Sequence, residues 1–198
     1  MATKAPISGA EVNGRAVAAE VTTAGDRRLP IEIGDVTPAN VAQLKTLNVS
    51  TLPVRYSEKF YKDLAASGNQ RYMKFAYWNG FAVGGVCARI EPIACEGGEQ
   101  QGEAASTTSK LYIMTINVLP AYRRRGIATR LLQHVLDEAT KEPTSTIVEV
   151  YLHVQTSNLE AKDFYVSHGF DEMGVVKDYY KRIDPPDAIL LSRQLTKA

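Results

Sequence analysis

The fold is decided by the stretch Val118-Leu119-Pro120-Ala121-Tyr122-Arg123-Arg124-Arg125-Gly126-Ile127-Ala128. An apolar strand ends in this stretch, a tight turn follows, and an amphipathic helix begins. The start of a helix presents unpaired backbone N–H groups and the positive end of the helix dipole, and glycine lets a bound group approach the main chain closely. The neighbouring arginines add positive charge, so the stretch predicts an anion-binding turn.

Two common phosphate-binding motifs are absent from the turn, and their absence narrows the choice of ligand. The sequence here is neither G-x-x-x-x-G-K-[ST] nor G-x-G-x-x-G, so ATP and dinucleotides lack the residues they usually require. The diphosphate of coenzyme A remains as the candidate ligand. The alternative interpretation is an arginine-rich helix start or a nuclear-localisation cluster without a ligand.

The elements around this turn form a β-α-β unit. Residues 110–118 and 146–154 have the composition of strands, and residues 125–139 that of an amphipathic helix. The inward positions of that helix are Ile127, Leu131, Val135 and Leu136. Ser157 and Glu160 have the spacing of a capping box, which predicts a further helix that carries Leu159 and Phe164 and ends near Gly169. Strands at 170–176 and 188–195 complete the chain.

The segment before the turn predicts a strand, two helices and a hairpin. Ile31 and Ile33 indicate the strand, and Thr37 before Pro38 predicts the N-cap of the first helix. Ser57 is predicted to cap a second helix that buries Phe60 and Leu64. Asn79-Gly80 separates strands at 71–77 and 81–90, which is a strong hairpin signal. The whole pattern predicts one domain of the mixed α/β class, with helices on both faces of the sheet.

Composition limits the partners, the disulfide content and the membrane association that can be expected. Lys and Arg total 23 against 22 for Asp and Glu, which gives no electrostatic reason to expect direct binding to nucleic acid or to an acidic membrane. Two cysteines are too few for a disulfide framework, and no apolar run approaches the roughly 20 residues of a membrane span. We therefore expect a soluble intracellular protein. Residues 1–29 are predicted to be a flexible tail and residues 92–109 a disordered loop within a domain spanning 30–198.

The run from Arg123 to Ala128 matches the acetyl-CoA signature [Q/R]-x-x-G-x-[G/A], and in this respect the chain resembles the GNAT superfamily of acetyltransferases. Four further segments resemble one family within it, the catalytic subunits of N-terminal acetyltransferase E: residues 31–38, Leu111-Tyr112-Ile113-Met114-Thr115, Tyr151-Leu152-His153-Val154-Gln155 and Tyr179-Tyr180-Lys181-Arg182-Ile183. The resemblance implies the GNAT fold, a mixed seven-stranded sheet, with acetyl-CoA as co-substrate and no metal.

The resemblance also implies which residues form the site. The catalytic residues would be Tyr112 and His153. The residues that bind the cofactor would be Ile116, Asn117, Val118, Arg123, Arg124, Arg125, Gly126, Ile127, Ala128, Thr129, Asn158 and Tyr165. The residues that bind the acceptor peptide would be Leu52, Pro53, Val54, Tyr56, Met114, Tyr179, Tyr180 and Ile183. The sequence departs from the family at Leu52, where phenylalanine is frequent, and at Arg55, which replaces a small polar residue.

Acid–base chemistry ranks these candidates. Histidine, with an ordinary pKa near 6.5, accepts a proton at neutral pH, whereas tyrosine near 10 is a poor base and is better suited to orienting a water molecule. In the resemblance Tyr165 would lie near the thioester sulfur, where it could protonate the leaving thiolate. An α-amine is neutral at pH 7 roughly 300-fold more often than a lysine side chain, which favours an N-terminus as acceptor.

The function that the resemblance implies is transfer of acetyl from acetyl-CoA to the α-amine of nascent proteins that begin with methionine. The implied partners are the catalytic and auxiliary subunits of the ribosome-associated NatA assembly, and the implied location is the cytoplasm, with the nucleus as a second compartment. Two alternatives stay open at this point: a catalytically weak acetyl-CoA-binding subunit of that assembly, and a lysine acetyltransferase.

Overall fold

A computed structural model describes residues 29–67, 70–93 and 108–195. The predicted tail lies outside these ranges except for Leu29, and the predicted loop lies outside them from residue 94 to residue 107. The strands that flank the loop pair as far as Pro92 and Ser109, the two end positions of the predicted loop. Antiparallel pairing continues for as long as both backbones stay extended, whether or not the side chains are apolar.

Within these ranges, seven strands form one mixed sheet in the order β1-β2-β3-β4-β5-β7-β6. The strands are β1 (Glu32–Asp35), β2 (Met73–Trp78), β3 (Phe81–Pro92), β4 (Thr108–Val118), β5 (Thr146–Gln155), β6 (Asp171–Val176) and β7 (Ala188–Gln194). Only β4 and β5 pair in parallel among these strands, and the chain connects them through a helix. The predicted sequence of strands and helices is confirmed.

Four helices accompany the described strands: α1 (Val41–Thr51), α2 (Glu58–Ala66), α3 (Ile127–Thr140) and α4 (Leu159–Ser167). Buried side chains of α1 and α2 join one core cluster with Phe75 of β2, and those of α3 and α4 join a second cluster with β4 and β5. The inward positions predicted for α3 are all buried. No helix in the part of the chain that the structure describes has the length and apolar character of a transmembrane span.

Two predicted helix caps are wrong and one is confirmed. Asn40, rather than Thr37, is the N-cap of α1, because residues 38–40 form a turn that the Thr37 carbonyl closes by accepting from the Val41 N–H. Asn158, rather than Ser157, caps α4, and its side chain accepts from the Ala161 N–H. Asparagine caps as well as serine does, so spacing alone could not separate the two. Ser57 caps α2 as predicted.

The predicted burial of the second helix needs correction as well. In α2 the buried side chains are Tyr61 and Leu64, while Phe60 is only partly buried and stacks on Tyr56. The error follows from assigning the inward face by hydrophobicity alone. In α4 Tyr165 is the buried residue, and Leu159 is 58% exposed. The tyrosine rings here are buried along with their hydroxyl groups.

A β-bulge in β4 changes which side chains face which helices. Thr115 pairs with Cys87 and Ile113 pairs with Ala88, so Met114 has no partner in the ladder with β3. Before the bulge the odd-numbered residues Leu111 and Ile113 pack with α3, whereas after it the even-numbered Ile116 and Val118 do so. A single extra residue reverses the alternation of a strand. Asn117 therefore faces α1.

Candidate active site

The site lies where β4 and β5 stop pairing. Their parallel ladder runs from Thr108 opposite Thr146 to Tyr112 opposite Tyr151, although β4 continues to Val118 and β5 to Gln155. Beyond Tyr112, residues of both strands line one cavity of about 120 Å³. The unpaired ends of the two strands thus form the walls of an opening in the sheet, and the catalytic candidates lie at its base.

A larger cleft of about 630 Å³ lies between the start of α3 and α4. Eleven of the twelve residues predicted to bind the cofactor line it, and the exception is Arg125, whose side chain is exposed next to the cleft. The two cavities are contiguous, because they share the lining residues Leu52, Pro53, Ile116, Asn158, Ala161 and Tyr165. A long ligand in the cleft could therefore extend its end into the opening between the strands.

The turn before α3 leaves its main-chain donors available to a ligand. Arg124 and Gly126 have positive φ angles of 60° and 75°, and no side chain caps the helix. The first bond of the helix runs from the Arg130 N–H to the Gly126 carbonyl, so the amides of Ile127, Ala128 and Thr129 precede the helical ladder. This chemistry fits a diphosphate, since free amides and a helix dipole converge on one wall of the cleft.

Charged side chains surround the same turn. Arg123 donates from Nε to the Val118 carbonyl at 3.2 Å, which ties the turn to the end of β4. Arg124 lies 3.5 Å from Glu160 of α4, and both side chains are largely exposed. An exposed pair of this kind contributes little to stability, so an anionic ligand can compete for Arg124 at small cost. The cleft also carries the carboxylate of Asp163, which the sequence analysis did not include.

The smaller cavity collects the predicted peptide-binding residues from three parts of the chain. Leu52, Pro53, Val54 and Tyr56 come from the α1–α2 connection, Met114 comes from the bulge, and Tyr180 and Ile183 come from the β6–β7 connection. The Tyr56 hydroxyl donates to the Met114 carbonyl at 3.3 Å and thereby links the first connection to the bulge. Arg55, the second departure from the family, is exposed to solvent.

Tyrosines surround His153 closely. The ring of Tyr179 stacks on the imidazole with centroids 4.1 Å apart, and its hydroxyl lies 2.7 Å from that of Tyr112. The Tyr180 hydroxyl donates to the His153 carbonyl at 3.3 Å. Nδ1 of His153 is buried and has no hydrogen-bond partner among the described residues. The imidazole is therefore held in place by ring packing while this nitrogen stays uncommitted.

Burial favours the neutral forms of His153, Tyr112 and Tyr180. It lowers the pKa of His153, although the negative charge of Glu91 opposes the effect. It raises the pKa of Tyr112, and the hydroxyl of Tyr179 raises it further. It also raises the pKa of Tyr180 to about 12. Near neutral pH the site thus contains a neutral imidazole able to accept a proton and phenols that keep theirs.

Comparison with known proteins identifies the family. The model of the acetyltransferase (GNAT) family matches residues 41–170, which is well over half of the chain. This chain belongs to the GNAT acetyltransferase family. The sheet and the turn before α3 are thus those of a GNAT enzyme, and the predicted fold class is confirmed.

Among relatives of this GNAT acetyltransferase, N-alpha-acetyltransferase 50 of Danio rerio is 45% identical over 165 residues, covering 83% of this chain and 89% of that protein. The probable N-acetyltransferase san of Drosophila melanogaster is 41% identical, covering 86% and 84%. Among solved structures, Arabidopsis thaliana Naa50 in complex with the bisubstrate analogue CoA-Ac-MVNAL superposes with a TM-score of 0.70. It is 37% identical and covers 84% of this chain and 100% of that chain.

The sequence analysis missed several residues that the structure of this GNAT enzyme brings to the site. Glu91 and Tyr151 meet beside the catalytic candidates, and Asn48 of α1 accepts at 2.6 Å from Asn117 in the cleft wall. No spacing in the sequence indicates these contacts, because they join segments between 60 and 69 residues apart. The described residues contain no group of three or more histidines, cysteines or carboxylates placed to hold a metal.

Proposed function

We propose that this GNAT acetyltransferase transfers acetyl from acetyl-CoA to the α-amine of proteins that begin with methionine. The observation that carries the proposal is the opening between β4 and β5, where His153 lies in a cavity continuous with the cleft at the start of α3. An acyl donor in the cleft and an acceptor amine in the opening could meet there. The identity to N-alpha-acetyltransferase 50 supports an α-amine as the acceptor.

Acetyl-CoA would be held mainly by main chain. The amides of Ile127, Ala128 and Thr129 would bind the diphosphate, with Arg123 and Arg124 supplying charge. Ile116 and Tyr165, which line both cavities, would flank the end that carries the thioester. When bound, acetyl-CoA supplies an activated acyl group with a thiolate as leaving group.

The reaction then needs one proton to leave the amine and one to reach sulfur. The neutral α-amine attacks the carbonyl carbon of the thioester, the C–N bond forms and the C–S bond breaks. His153 accepts the proton that the amine loses, directly or through a water molecule oriented by Tyr112. The thiolate gains a proton from solvent or from the Tyr165 hydroxyl, and solvent is the better donor because burial raises the pKa of Tyr165 well above its ordinary value. The products are an acetylated N-terminus and coenzyme A.

The smaller cavity favours an apolar first residue. Leu52, Pro53, Val54, Met114 and Ile183 line it, and two tyrosine hydroxyls are already engaged with backbone carbonyls. A flexible thioether fits an irregular apolar pocket without requiring a polar partner. The analogue bound to the Arabidopsis thaliana relative carries the peptide sequence MVNAL, which supports methionine at the first position.

The proposal also covers the cellular location, the partners and the domain bounds of the protein. The resemblance supports a protein of the cytoplasm, with the nucleus as a second compartment, that works on nascent chains beside the NatA subunits at the ribosome. It further supports a domain from residue 30 to residue 198 preceded by a tail. Co-purification with ribosomes and with the NatA subunits would test this setting.

An acetylation assay tests the activity. The purified protein and acetyl-CoA are combined with a peptide that begins Met-Leu and contains one internal lysine, and with the same peptide blocked at its N-terminus. We expect mass spectrometry to locate acetyl on the α-amine of the free peptide only. Equal rates on both peptides would instead identify a lysine acetyltransferase. Tight binding of acetyl-CoA without turnover on either peptide would indicate a binding subunit.

A further inference from the structure

A cluster of three side chains lies beside the catalytic candidates. Glu91, near the end of β3, accepts a short hydrogen bond from the Tyr151 hydroxyl of β5. The same carboxylate pairs with Arg89, whose Nε and Nη2 lie 2.8 Å and 2.6 Å from Oε1. We call Arg89, Glu91 and Tyr151 the β3–β5 cluster. It connects two strands across β4, which lies between them in the sheet.

The cluster contacts both catalytic candidates. The ring of Tyr151 lies 5.0 Å from that of Tyr112 and meets the imidazole of His153 edge-on at 6.2 Å, both between centroids. The guanidinium of Arg89 lies 5.2 Å from the Tyr112 ring centroid. Tyr112 and Tyr151 form the last pair of the parallel ladder. Beyond this pair β4 and β5 no longer pair with each other, although β5 stays paired with β7, so side-chain packing contributes to the spacing between Tyr112 and His153.

Glu91 also brings a negative charge to the site. Burial would raise its pKa, but the hydrogen bonds from Tyr151 and Arg89 outweigh that effect and hold the pKa below its ordinary value. The carboxylate is therefore ionised at neutral pH, and its charge raises the pKa of His153 against the effect of burial. The other titratable or charged groups around the imidazole are Tyr112, Tyr151, Tyr179, Tyr180 and Arg89.

We propose that Glu91 and Tyr151 are positioning residues for acetyl transfer: the Glu91 carboxylate holds the Tyr151 ring against Tyr112 and His153 and brings a negative charge close to the imidazole. This inference rests on the proposed function, because it assigns His153 the role of proton acceptor. Neither residue touches the reacting atoms in this assignment. Both act through the placement and the basicity of the catalytic pair.

The direction of the electrostatic effect follows from the sign of the charge. An imidazolium next to a carboxylate is stabilised, so replacing Glu91 with neutral glutamine lowers the pKa of His153 further. The acidic limb of the kcat/KM profile then moves to lower pH. At pH 7 the imidazole is neutral in both proteins, but it is a weaker base in the variant, and we expect kcat to fall about three- to tenfold.

A matched control exists on the same sheet. Glu149 of β5 is also a partly buried carboxylate with a cationic partner, Lys110 at 2.6 Å, and it accepts a hydrogen bond from Ser192 at 2.5 Å. It precedes His153 by four positions, or about 13 Å along an extended strand. Because charge effects at that distance are weak, Glu149→Gln should leave the kcat/KM profile of the wild type unchanged.

The kinetic experiment compares wild type, E91Q, Y151F and E149Q on a Met-Leu peptide from pH 5 to pH 9. We expect the shifted acidic limb in E91Q alone, and reduced kcat in E91Q and Y151F at unchanged KM for acetyl-CoA. Y151F keeps the ring but frees the carboxylate, so it separates positioning from charge. Thermal unfolding of each variant checks that the fold is intact. An E91Q profile that superposes on that of E149Q would overturn the inference.

A second readout does not depend on turnover. The imidazole signals of the protein without ligand are followed by NMR as the pH is varied, and His153 is assigned from an H153Q variant. We expect the His153 midpoint to move to lower pH in E91Q and to stay in place in E149Q. An inactive wild type that shows this movement would refute the proposed function and leave the electrostatic contact standing. An unmoved midpoint in E91Q would refute the contact itself.

Discussion

The two sides of the opening between β4 and β5 are built in different ways. Half of the residues that line the cofactor side belong to one continuous segment, from Ile116 to Thr129, which offers main-chain amides at the start of a helix, and most of the others belong to α4 and its N-cap. The acceptor side is assembled from side chains of the α1–α2 connection, the bulge in β4, the β5 strand and the β6–β7 connection. The first arrangement tolerates changes of side chain, and the second depends on contacts between distant segments.

This difference determines where substitutions should act. Main-chain donors are lost only when the backbone conformation changes, so variants that strain the backbone of the cofactor side should weaken the binding of acetyl-CoA. In the proposed reaction the side chains of the acceptor side carry the proton transfer, so their variants should lower turnover.

Replacing His153 with alanine should separate the two sides most clearly. We expect kcat to fall by about 10²- to 10⁴-fold, because the proton acceptor is removed. The dissociation constant for acetyl-CoA, measured by calorimetry, should change little, since His153 lines only the smaller cavity. A matching loss of acetyl-CoA affinity would show that the two sides are not separate.

A buried pair of asparagines connects the cofactor side to α1. Asn117 lies in the cleft wall, and Asn48 of α1 accepts its amide at 2.6 Å and donates to the Tyr61 hydroxyl at 3.3 Å. Replacing Asn48 with alanine removes the hydrogen bonds that it makes with the Asn117 amide and the Tyr61 hydroxyl. We expect the unfolding free energy, measured by urea titration, to fall by about 2–3 kcal/mol. Tyr61→Phe removes only the longer bond and should cost about 1 kcal/mol or less. Equal losses of unfolding free energy in the two variants would show that the hydrogen bond between the asparagines adds nothing to stability beyond the bond to Tyr61.

A substitution at Gly126 tests the role of the main chain on the cofactor side. Its φ of +75° disfavours any side chain, although no atom lies within 4 Å of an added Cβ. Gly126→Ala should cost about 1–2 kcal/mol of stability and weaken acetyl-CoA binding about tenfold, because the turn that aims the amides is strained. Gly80 of the β2–β3 hairpin has φ +78° and the same open surroundings. Gly80→Ala should lose similar stability and keep its affinity for acetyl-CoA in calorimetry.

The smallest effects are expected from alanine variants of two helix caps, one next to the cleft and one away from it. Asn158 caps α4 and lines both cavities, whereas Ser57 caps α2 away from the cleft. Replacing either residue with alanine should cost about 1 kcal/mol in thermal unfolding, since each leaves one amide without its acceptor. Only Asn158→Ala should also raise KM for acetyl-CoA. A KM increase in Ser57→Ala would show that stability alone controls cofactor affinity.

The fold and the cofactor cleft were largely predictable from the sequence. Strand and helix periods, the Asn79-Gly80 turn and the Arg123–Ala128 signature are local patterns, and local patterns set local structure. The cleft follows from them because the segment from Ile116 to Thr129 and the predicted last helix supply most of its lining residues. His153 and Tyr112 could be named through family resemblance, and the structure places them on neighbouring strands with centroids 5.8 Å apart.

The contacts between distant segments could not be predicted in the same way. The bond between Tyr151 and Glu91 depends on the register of three strands, and that between Asn117 and Asn48 depends on the bulge at Met114. Neither register nor bulge leaves a mark in composition. The wrong caps at Thr37 and Ser157 have local causes: α1 begins only after the turn at residues 38–40, with no side-chain cap bond from Asn40, whereas the neighbouring Asn158 takes the capping role in α4.

The bulge at Met114 has a consequence for comparing this enzyme with others. Odd-numbered residues of β4 face α3 before Met114, and even-numbered residues face α3 after it. The same alternating pattern therefore marks core positions in one half of the strand and positions on the opposite face in the other half. A relative lacking one residue there would present the equivalent of Asn117 to α3 instead of α1. Alignments that place a gap elsewhere in β4 would then match core positions of one protein with cleft positions of the other.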